Sequence, residues 1–210
     1  MRRPKVPQQS LLVDGIVIRT YPCGEADLVV RLMTKGRGKL ALYAKHARRS
    51  QKRFGSGVDL FDSGSFKYSI RESTPDSLGM IEEYIPAPRF RALRDSFEKL
   101  SVASLLCECC DLLTPEQGHA EDEIFEALQL GLRAIEEAEN LREALRGCYL
   151  AIYGMASSAG VVVLEEAPPP SRNSLLKLVS TVSRYAERPI MTKASILELL
   201  SPPVPKAFNQ

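Results

Sequence analysis

The first part of the chain carries short apolar runs with a period of two, which is typical of β-strands. These runs are rich in β-branched residues and predict strands at 14–20, 28–34, 39–45, 58–70 and 77–85. Turn-forming residues separate them, and the KGRG turn at 35–38 offers two glycines that accept positive φ. Short strands at such spacing predict a small closed or nearly closed barrel. The pattern alone leaves an SH3-like barrel open as well.

After Pro86 and Pro88 the period changes to three and four residues, which indicates amphipathic helices. The first predicted helix, 90–113, has its apolar positions at Phe90, Leu93, Phe97, Leu100, Leu106 and Leu113. Further helices are predicted at 120–139, at 141–159, from an Asn173 cap to a point before Pro189, and from a Thr192 cap to Leu200. The fold class is therefore α+β, a barrel followed by an all-α domain.

These periods divide the chain into a flexible basic leader (1–10), a barrel domain (11–86), a helical domain (87–200) and a Pro-rich tail (201–210). The leader develops no apolar segment of signal-peptide length, so we expect a cytoplasmic, nucleoid-associated protein. The uncharged run 147–164 is interrupted by Gly154 and Gly160, which favours a buried helix over a membrane span.

Charge is distributed unevenly between the two halves. Residues 1–81 contain 15 basic and 7 acidic side chains, whereas residues 82–210 contain 13 and 19. Residues 28–58 contain no Asp or Glu but nine basic side chains, a density that a folded domain rarely carries unless a polyanion offsets the repulsion. Nucleic acid is the first candidate partner.

Aromatic residues within the basic stretch add a second element of nucleic-acid recognition. Alternation along 39–45 predicts Lys39, Tyr43 and Lys45 on one outward face, and Phe54 follows in the next loop. Single-strand binders combine a cationic groove with aromatic platforms for the bases. The candidate DNA-binding residues are Arg31, Lys35, Arg37, Lys39, Tyr43, Lys45, Arg48, Arg49, Lys52, Arg53 and Phe54.

Other candidate chemistry favours structural roles. Glu25 and Asp27 flank a turn without a nearby His, so we expect them to cap backbone donors or to pair with an Arg. Cys107 and Cys110 share a helical face with leucines and are interpreted as core thiols rather than zinc ligands. No phosphate-binding glycine loop and no nucleophile–base set is present in the sequence. We therefore expect no catalytic residue, no metal and no cofactor.

The order of motifs from Gly15 to Phe54 resembles a known family. A strand ending in IRT, the turn GEAD, a strand ending in Thr34 and the segment GRGKLALYAKHARRSQKRF resemble the N-terminal domain of the bacterial DNA-repair and recombination-mediator family RecO. The resemblance implies an OB-fold barrel that binds single- and double-stranded DNA and anneals strands. It also implies partners: RecR, the C-terminal tail of single-strand-binding protein and, indirectly, RecA.

Carried over position by position, the resemblance implies DNA contacts at Lys35, Arg37, Lys39, Lys45, Arg48, Arg49 and Arg53. The chain departs from the family pattern at two of its loop positions. His46 stands where the family usually has Gly, and Lys52 where it usually has Ser. Many members carry a four-cysteine zinc motif near the position of 161–170, where this chain has VVVLEEAPPP, so zinc is not expected.

Two alternatives to a DNA-binding mediator remain open on the residues. Backbone contacts and stacking do not by themselves distinguish DNA from RNA, so an RNA-binding OB-fold protein is one of them. The other is a protein-only adaptor whose basic face binds acidic tails. The first hypothesis remains a non-catalytic protein that anneals strands and helps load RecA on DNA covered by single-strand-binding protein.

Overall fold

Five strands form the N-terminal part of the molecule. The computed structural model describes residues 8–49, 54, 58–71, 78–115, 121–163 and 167–201. Its strands are β1 (Gln8–Cys23), β2 (Asp27–Thr34), β3 (Gly38–Ala44), β4 (Ser63–Arg71) and β5 (Gly79–Pro86). They close into a barrel in the order β1-β2-β3-β5-β4.

Closure depends on the length of β1 and on one parallel pair. The first half of β1 pairs with β4 and the second half with β2, with a bulge between Val17 and Arg19 that bends the strand. On the other side β3 pairs in parallel with β5 through Leu42 and Tyr43. This five-stranded arrangement is the OB-fold, and the predicted fold class is confirmed.

Two strand boundaries differ from the prediction. Strand β1 begins at Gln8 rather than Asp14, because Asp14 and Gly15 lie within the ladder opposite β4 instead of forming a turn. Residues 8–10, predicted as leader, are therefore part of the sheet. Residues 58–62 form a turn before β4. The Phe61 N–H donates to the Val17 carbonyl and the Val17 N–H donates to the Asp62 carbonyl, and Phe61 has a positive φ.

The helices follow in the predicted order. After a 3₁₀ turn at Ala92–Arg94 come α1 (Phe97–Leu113), α2 (Asp122–Glu137), α3 (Leu141–Ser158), α4 (Arg172–Tyr185) and α5 (Lys193–Leu199). Helix α1 begins later than predicted because the side chain of Ser96 accepts from the Lys99 N–H and caps it. The apolar period placed Phe97 on the buried face of this helix, but the side chain is 60% exposed. Ser171, not Asn173, caps α4.

The molecule has two apolar cores. One fills the barrel and includes Val17, Val30 and Phe66. The other lies among the helices but also takes Ile16, Ile18, Met33 and Phe61 from the barrel. One outer side of the barrel is therefore packed against the helical domain, with α1 in contact with β1.

The predicted burial of the cysteines is confirmed. Cys107 and Cys110 lie in the helical core, together with Cys109 and Cys148. Burial raises the pKa of all four thiols, that of Cys110 to about 12. The thiolate is the reactive form and the metal ligand, so these side chains act as small apolar residues at neutral pH.

Within the described ranges, no helix is both long and apolar enough to cross a membrane. The predicted tail falls outside those ranges from residue 202 onward, and so do residues 1–7 of the predicted leader.

Candidate nucleic-acid interface

The structure divides the basic stretch into separate groups. The hairpin turn with Lys35 and Arg37 lies at one end of β3, and the turn 45–49 lies at the other. Seven strand residues separate them, a span of about 24 Å. The charges of the basic stretch therefore do not converge at one place, because the strand between the two turns is extended.

The turn 45–49, here called the basic turn, is held in one conformation by its backbone. The Arg48 N–H donates to the Ala26 carbonyl at 3.1 Å, and the Arg49 N–H donates to the His46 carbonyl at 3.0 Å. Ala47 is buried in the barrel core, while Lys45, His46, Arg48 and Arg49 are exposed. The buried alanine anchors the turn, so its cationic side chains project from a fixed base.

His46 occupies the left-handed region with φ of 58°. Its N–H donates to Oδ1 of Asp27 at 2.7 Å, and its Nδ1 lies 3.7 Å from the same oxygen. Glycine adopts this conformation without the Cβ penalty, and histidine is among the few other residues enriched there. The turn thus keeps its geometry with histidine where the family pattern has glycine.

The two carboxylates of the first turn have the structural roles that were predicted. Asp27 accepts from the His46 N–H and from the Tyr43 hydroxyl. The hydrogen bond from Tyr43 is the main reason that the pKa of Asp27 is lowered, and it raises the pKa of Tyr43 to about 12. Glu25 lies 3.4 Å from the Arg49 guanidinium, in a pair so exposed that it contributes little to stability.

Beside the basic turn, the outer side of β1, β2 and β3 forms a half-exposed platform. Register places Tyr21, Val29 and Tyr43 in one row and Arg19 and Arg31 in the next. The guanidinium carbons of Arg19 and Arg31 lie 5.1 and 5.5 Å from the centre of the Tyr21 ring, within cation–π range. We call these five residues the tyrosine–arginine face.

Asp111 of α1 lies against the edge of this face that is formed by Arg19 and Arg31. The carboxylate is 1% exposed and accepts from Arg31 at 2.9 Å, with Lys39 Nζ at 3.2 Å and Arg19 Nη1 at 3.4 Å. Lys39 Nζ also donates to the Asp111 carbonyl at 2.7 Å. Three strands thus contribute cations to one helical carboxylate, and we call these four residues the Asp111 cluster.

Several predicted DNA contacts have other surroundings than expected. Lys39 is 4% exposed and faces α1, so the outward cationic face predicted for β3 is wrong at this position. Arg31 is 17% exposed and shared with Asp111. Phe54 is 2% exposed because it packs into the barrel core, and so it does not form the predicted stacking surface. Lys52 and Arg53 lie outside the described residues.

Arg19, Tyr21 and Val29 were missed by the sequence reasoning. All three are partly exposed and share one face with Tyr43. The alternation of Arg19 and Tyr21 predicts that both side chains lie on one face of β1, but Pro22 and Cys23 are typical of a turn and hide the end of the strand. Strand β1 also lies outside the charge run 28–58, so charge density did not indicate it.

The described residues contain no group of three or more His, Cys, Asp or Glu side chains that could hold a metal ion. What the interface offers is fixed cationic side chains beside half-exposed tyrosines. Such surfaces bind charged, flat ligands by ion pairing and stacking.

The fold and this surface together define a class: an OB-fold barrel with a basic and aromatic outer face, joined to a helical bundle. The family model for the recombination protein O N-terminal domain matches residues 10–86, which contain most of the barrel. That match assigns the barrel to the RecO N-terminal domain family, and the resemblance read from its motifs is confirmed.

Curated relatives extend the similarity beyond the barrel. The chain is 33% identical over 127 residues to the DNA repair protein RecO of Desulfatibacillum aliphaticivorans, covering 60% of this chain and 47% of that one. It is 32% identical over 151 residues to DNA repair protein RecO of Anaeromyxobacter dehalogenans strain 2CP-C, covering 71% and 57%. The chain thus spans about half the length of these relatives.

Replacing Asp111 by Asn is expected to destabilise the protein by about 3 kcal/mol at pH 7, because Lys39 and Arg31 lose a buried counter-charge. Urea unfolding measures the effect. Exposed Glu83 provides the matched control, since Glu83→Gln should stay within about 0.5 kcal/mol of the parent. Equal stabilities for the two variants would contradict the structural role of the Asp111 cluster.

The same comparison has a defined pH dependence. Burial raises the pKa of Asp111, but Lys39 and Arg31 outweigh burial and hold it below its ordinary value. A lowered folded-state pKa means that the stabilisation is fully present above the unfolded value of about 4 and is lost as pH falls through the folded value. The stability difference between parent and Asp111→Asn should therefore shrink on acidification below about pH 4.

His46→Gly is expected to be more stable than His46→Ala by about 1 kcal/mol, because alanine keeps the Cβ that the left-handed region disfavours. Both variants lose the imidazole, so thermal unfolding of the pair isolates the backbone effect. An alanine variant as stable as the glycine variant would show that the turn adopts a different φ in solution.

Proposed function

We propose that this protein binds DNA through the basic turn and the tyrosine–arginine face and acts in DNA repair and recombination. The observation that carries the proposal is their adjacency: a fixed turn with Lys45, Arg48 and Arg49 lies beside a row of half-exposed tyrosines. The names of the curated relatives, DNA repair protein RecO, support the same role.

The proposed contact combines ion pairs to phosphates with stacking on unpaired bases. Arg48, Arg49 and Lys45 pair with phosphates, and Tyr21 and Tyr43 offer ring surface to unpaired bases, each stack being worth roughly 1 to 3 kcal/mol. The Glu25–Arg49 pair is exposed, and a phosphate replaces it at little cost. Lys35 and Arg37, about 24 Å away at the hairpin turn, extend the path of a longer strand.

In this proposal the protein is a mediator without turnover. Cationic residues that neutralise phosphates lower the repulsion between two strands and speed their pairing. It binds single- and double-stranded DNA, anneals strands and, with RecR, helps load RecA on DNA covered by single-strand-binding protein. RNA binding and a protein-only adaptor remain the alternatives, and competition with RNA of equal length and with acidic peptide separates them.

Arg48→Glu combined with Arg49→Glu is expected to weaken binding of a labelled single-stranded oligonucleotide at least tenfold at 0.1 M salt, because two phosphate contacts become repulsions. If about six phosphates are contacted, log K against log salt should slope at roughly −4, and this variant should reduce the slope by about 1.4. Anisotropy titrations at several salt concentrations measure both quantities.

Arg89→Glu combined with Arg91→Glu changes the net charge equally at exposed positions between β5 and α1. This control should keep the parent's affinity within about twofold, since only long-range charge is altered. Equal losses in the two double variants would reject a localised site. The test variant should also anneal complementary strands more slowly than the control does.

A groove between α3 and α4 supports the proposed binding of the single-strand-binding protein tail. Its volume is about 1050 Å³. Basic and apolar side chains line it together, namely Arg142, Arg146 and Arg172 with Leu145, Tyr149, Leu175 and Leu200. The acidic lining residue Glu143 accepts hydrogen bonds from the Glu139 N–H and the Asn140 amide. An acidic peptide matches such a lining, because arginine forks bind carboxylates while the apolar walls take up its uncharged side chains.

Arg142→Glu combined with Arg146→Glu is expected to weaken binding of a fluorescent tail peptide at least tenfold, because both arginines then repel carboxylates. Oligonucleotide affinity should stay near the parent value, which separates this groove from the barrel site. The Arg89→Glu, Arg91→Glu protein again provides the charge-matched control. Unchanged peptide binding would show that the tail does not bind in this groove.

A further inference from the structure

Helices α4 and α5 carry an unexpected positive charge. Residues 82–210 as a whole contain 13 basic and 19 acidic side chains, yet 167–201 contain only two acidic residues, Glu187 and Glu198. The basic residues of this segment are Arg172, Lys177, Arg184, Arg188 and Lys193. An acidic domain thus has one cationic side, which the barrel site does not explain.

Three of these cations lie in a line along α4. Lys177 and Arg184 are seven residues apart, which puts them on the same side of the helix about 10 Å apart along its axis. Lys193 of α5 donates to the Ser180 hydroxyl at 3.3 Å, and Ser180 lies between them. Along the axis of α4 the positions of Lys177, Ser180 and Arg184 follow one another at steps of about 5 Å, and Lys193 Nζ lies at the middle one. We call Lys177, Lys193 and Arg184 the α4 line.

The surroundings of the α4 line suit a phosphate backbone. A shallow groove of about 480 Å³ is lined by two of its cations, Lys177 and Arg184, together with Asn173, Leu176, Ser180 and Thr181. Among the described residues, no carboxylate lies within ion-pair distance of the three cations. Hydroxyl and amide groups beside unpaired cations are the side chains that commonly contact phosphate oxygens.

Helix stability alone does not account for this arrangement. A basic residue in the last turn favours the helix dipole, which explains Arg184. Lys177 lies in the middle of α4 and Lys193 belongs to another helix, so neither gains from that dipole. Their mutual repulsion costs free energy unless an anion bridges them.

The α4 line is separate from the surfaces already described. The buried side of α4, with Leu175, Leu178 and Val182, faces the helical core, and the line lies on the opposite side. Helix α4 packs on α1 and α3, and α1 in turn contacts β1 of the barrel. The tail groove uses Ser171, Arg172 and Leu175, none of which lines the groove along the cations.

We propose that the α4 line is a second binding site for the backbone of single-stranded nucleic acid. Its three cations provide about three phosphate contacts along one strand. The inference rests on the proposed DNA-binding function and extends it: one chain holds two strands, one at the barrel and one at α4. Annealing partners would then be brought together on the same molecule.

A strand-capture experiment tests this site. A biotinylated oligonucleotide is immobilised, protein is bound to it, and capture of a second, labelled, non-complementary oligonucleotide is measured. The parent should capture the second strand. Lys177→Glu combined with Arg184→Glu should reduce that capture at least tenfold and reduce its salt slope by about 1.4, with first-strand binding within about twofold. The Arg89→Glu, Arg91→Glu control should capture normally.

The outcomes distinguish the two proposals. Capture that the α4 variant leaves unchanged, or a parent that binds one strand and captures no second, overturns the α4 site alone. Loss of capture in the α4 variant supports the α4 site. If Arg48→Glu and Arg49→Glu have no effect on first-strand binding, the barrel site is overturned. A parent that binds no strand overturns both. If polyglutamate binds in a way that depends on the α4 line and no second strand is captured, the nucleic-acid site is overturned and the partner of the α4 line is an acidic protein.

Discussion

Asp111 determines how the barrel and the helices fit together. A carboxylate that is 1% exposed cannot remain charged without close partners, and Arg19, Arg31 and Lys39 supply them from three adjacent strands. The requirement is mutual, because Lys39 is also buried and needs the carboxylate. Apolar contact between β1 and α1 brings the surfaces together, but it is not directional. The ion pairs fix the register of α1 on the barrel.

This constraint shapes the interface on the barrel. Arg19 and Arg31 bind Asp111 and also lie within cation–π distance of the Tyr21 ring, so the tyrosine–arginine face is partly ordered by the helix behind it. Three cations meet this carboxylate, each from a different strand. Two of them, Arg19 and Arg31, also belong to the face that we propose as a DNA contact. The interdomain contact and the proposed ligand contact thus share residues.

Cationic side chains consequently fall into two kinds in this molecule. Those of the Asp111 cluster are buried or half-buried and contribute to the fold. Those of the basic turn are exposed, as are Lys177 and Arg184 of the α4 line, whereas Lys193 is half-buried and donates to the Ser180 hydroxyl. We propose that the second kind contacts phosphates, and its two groups lie on the barrel and on the helices. A chain with almost no net charge therefore carries two separate cationic surfaces.

The sequence by itself determined the strand and helix order, the core cysteines, the turn roles of Glu25 and Asp27 and the family of the barrel. Each of these depends on local period, turn chemistry or a contiguous motif. The tertiary structure decided which charges are exposed, because Lys39 and Asp111 are 72 residues apart in the chain and share one buried contact. It also placed Phe54 in the core and Tyr21 beside Tyr43. Pairing across strands and between domains depends on distance in space, which no periodic pattern in the chain encodes.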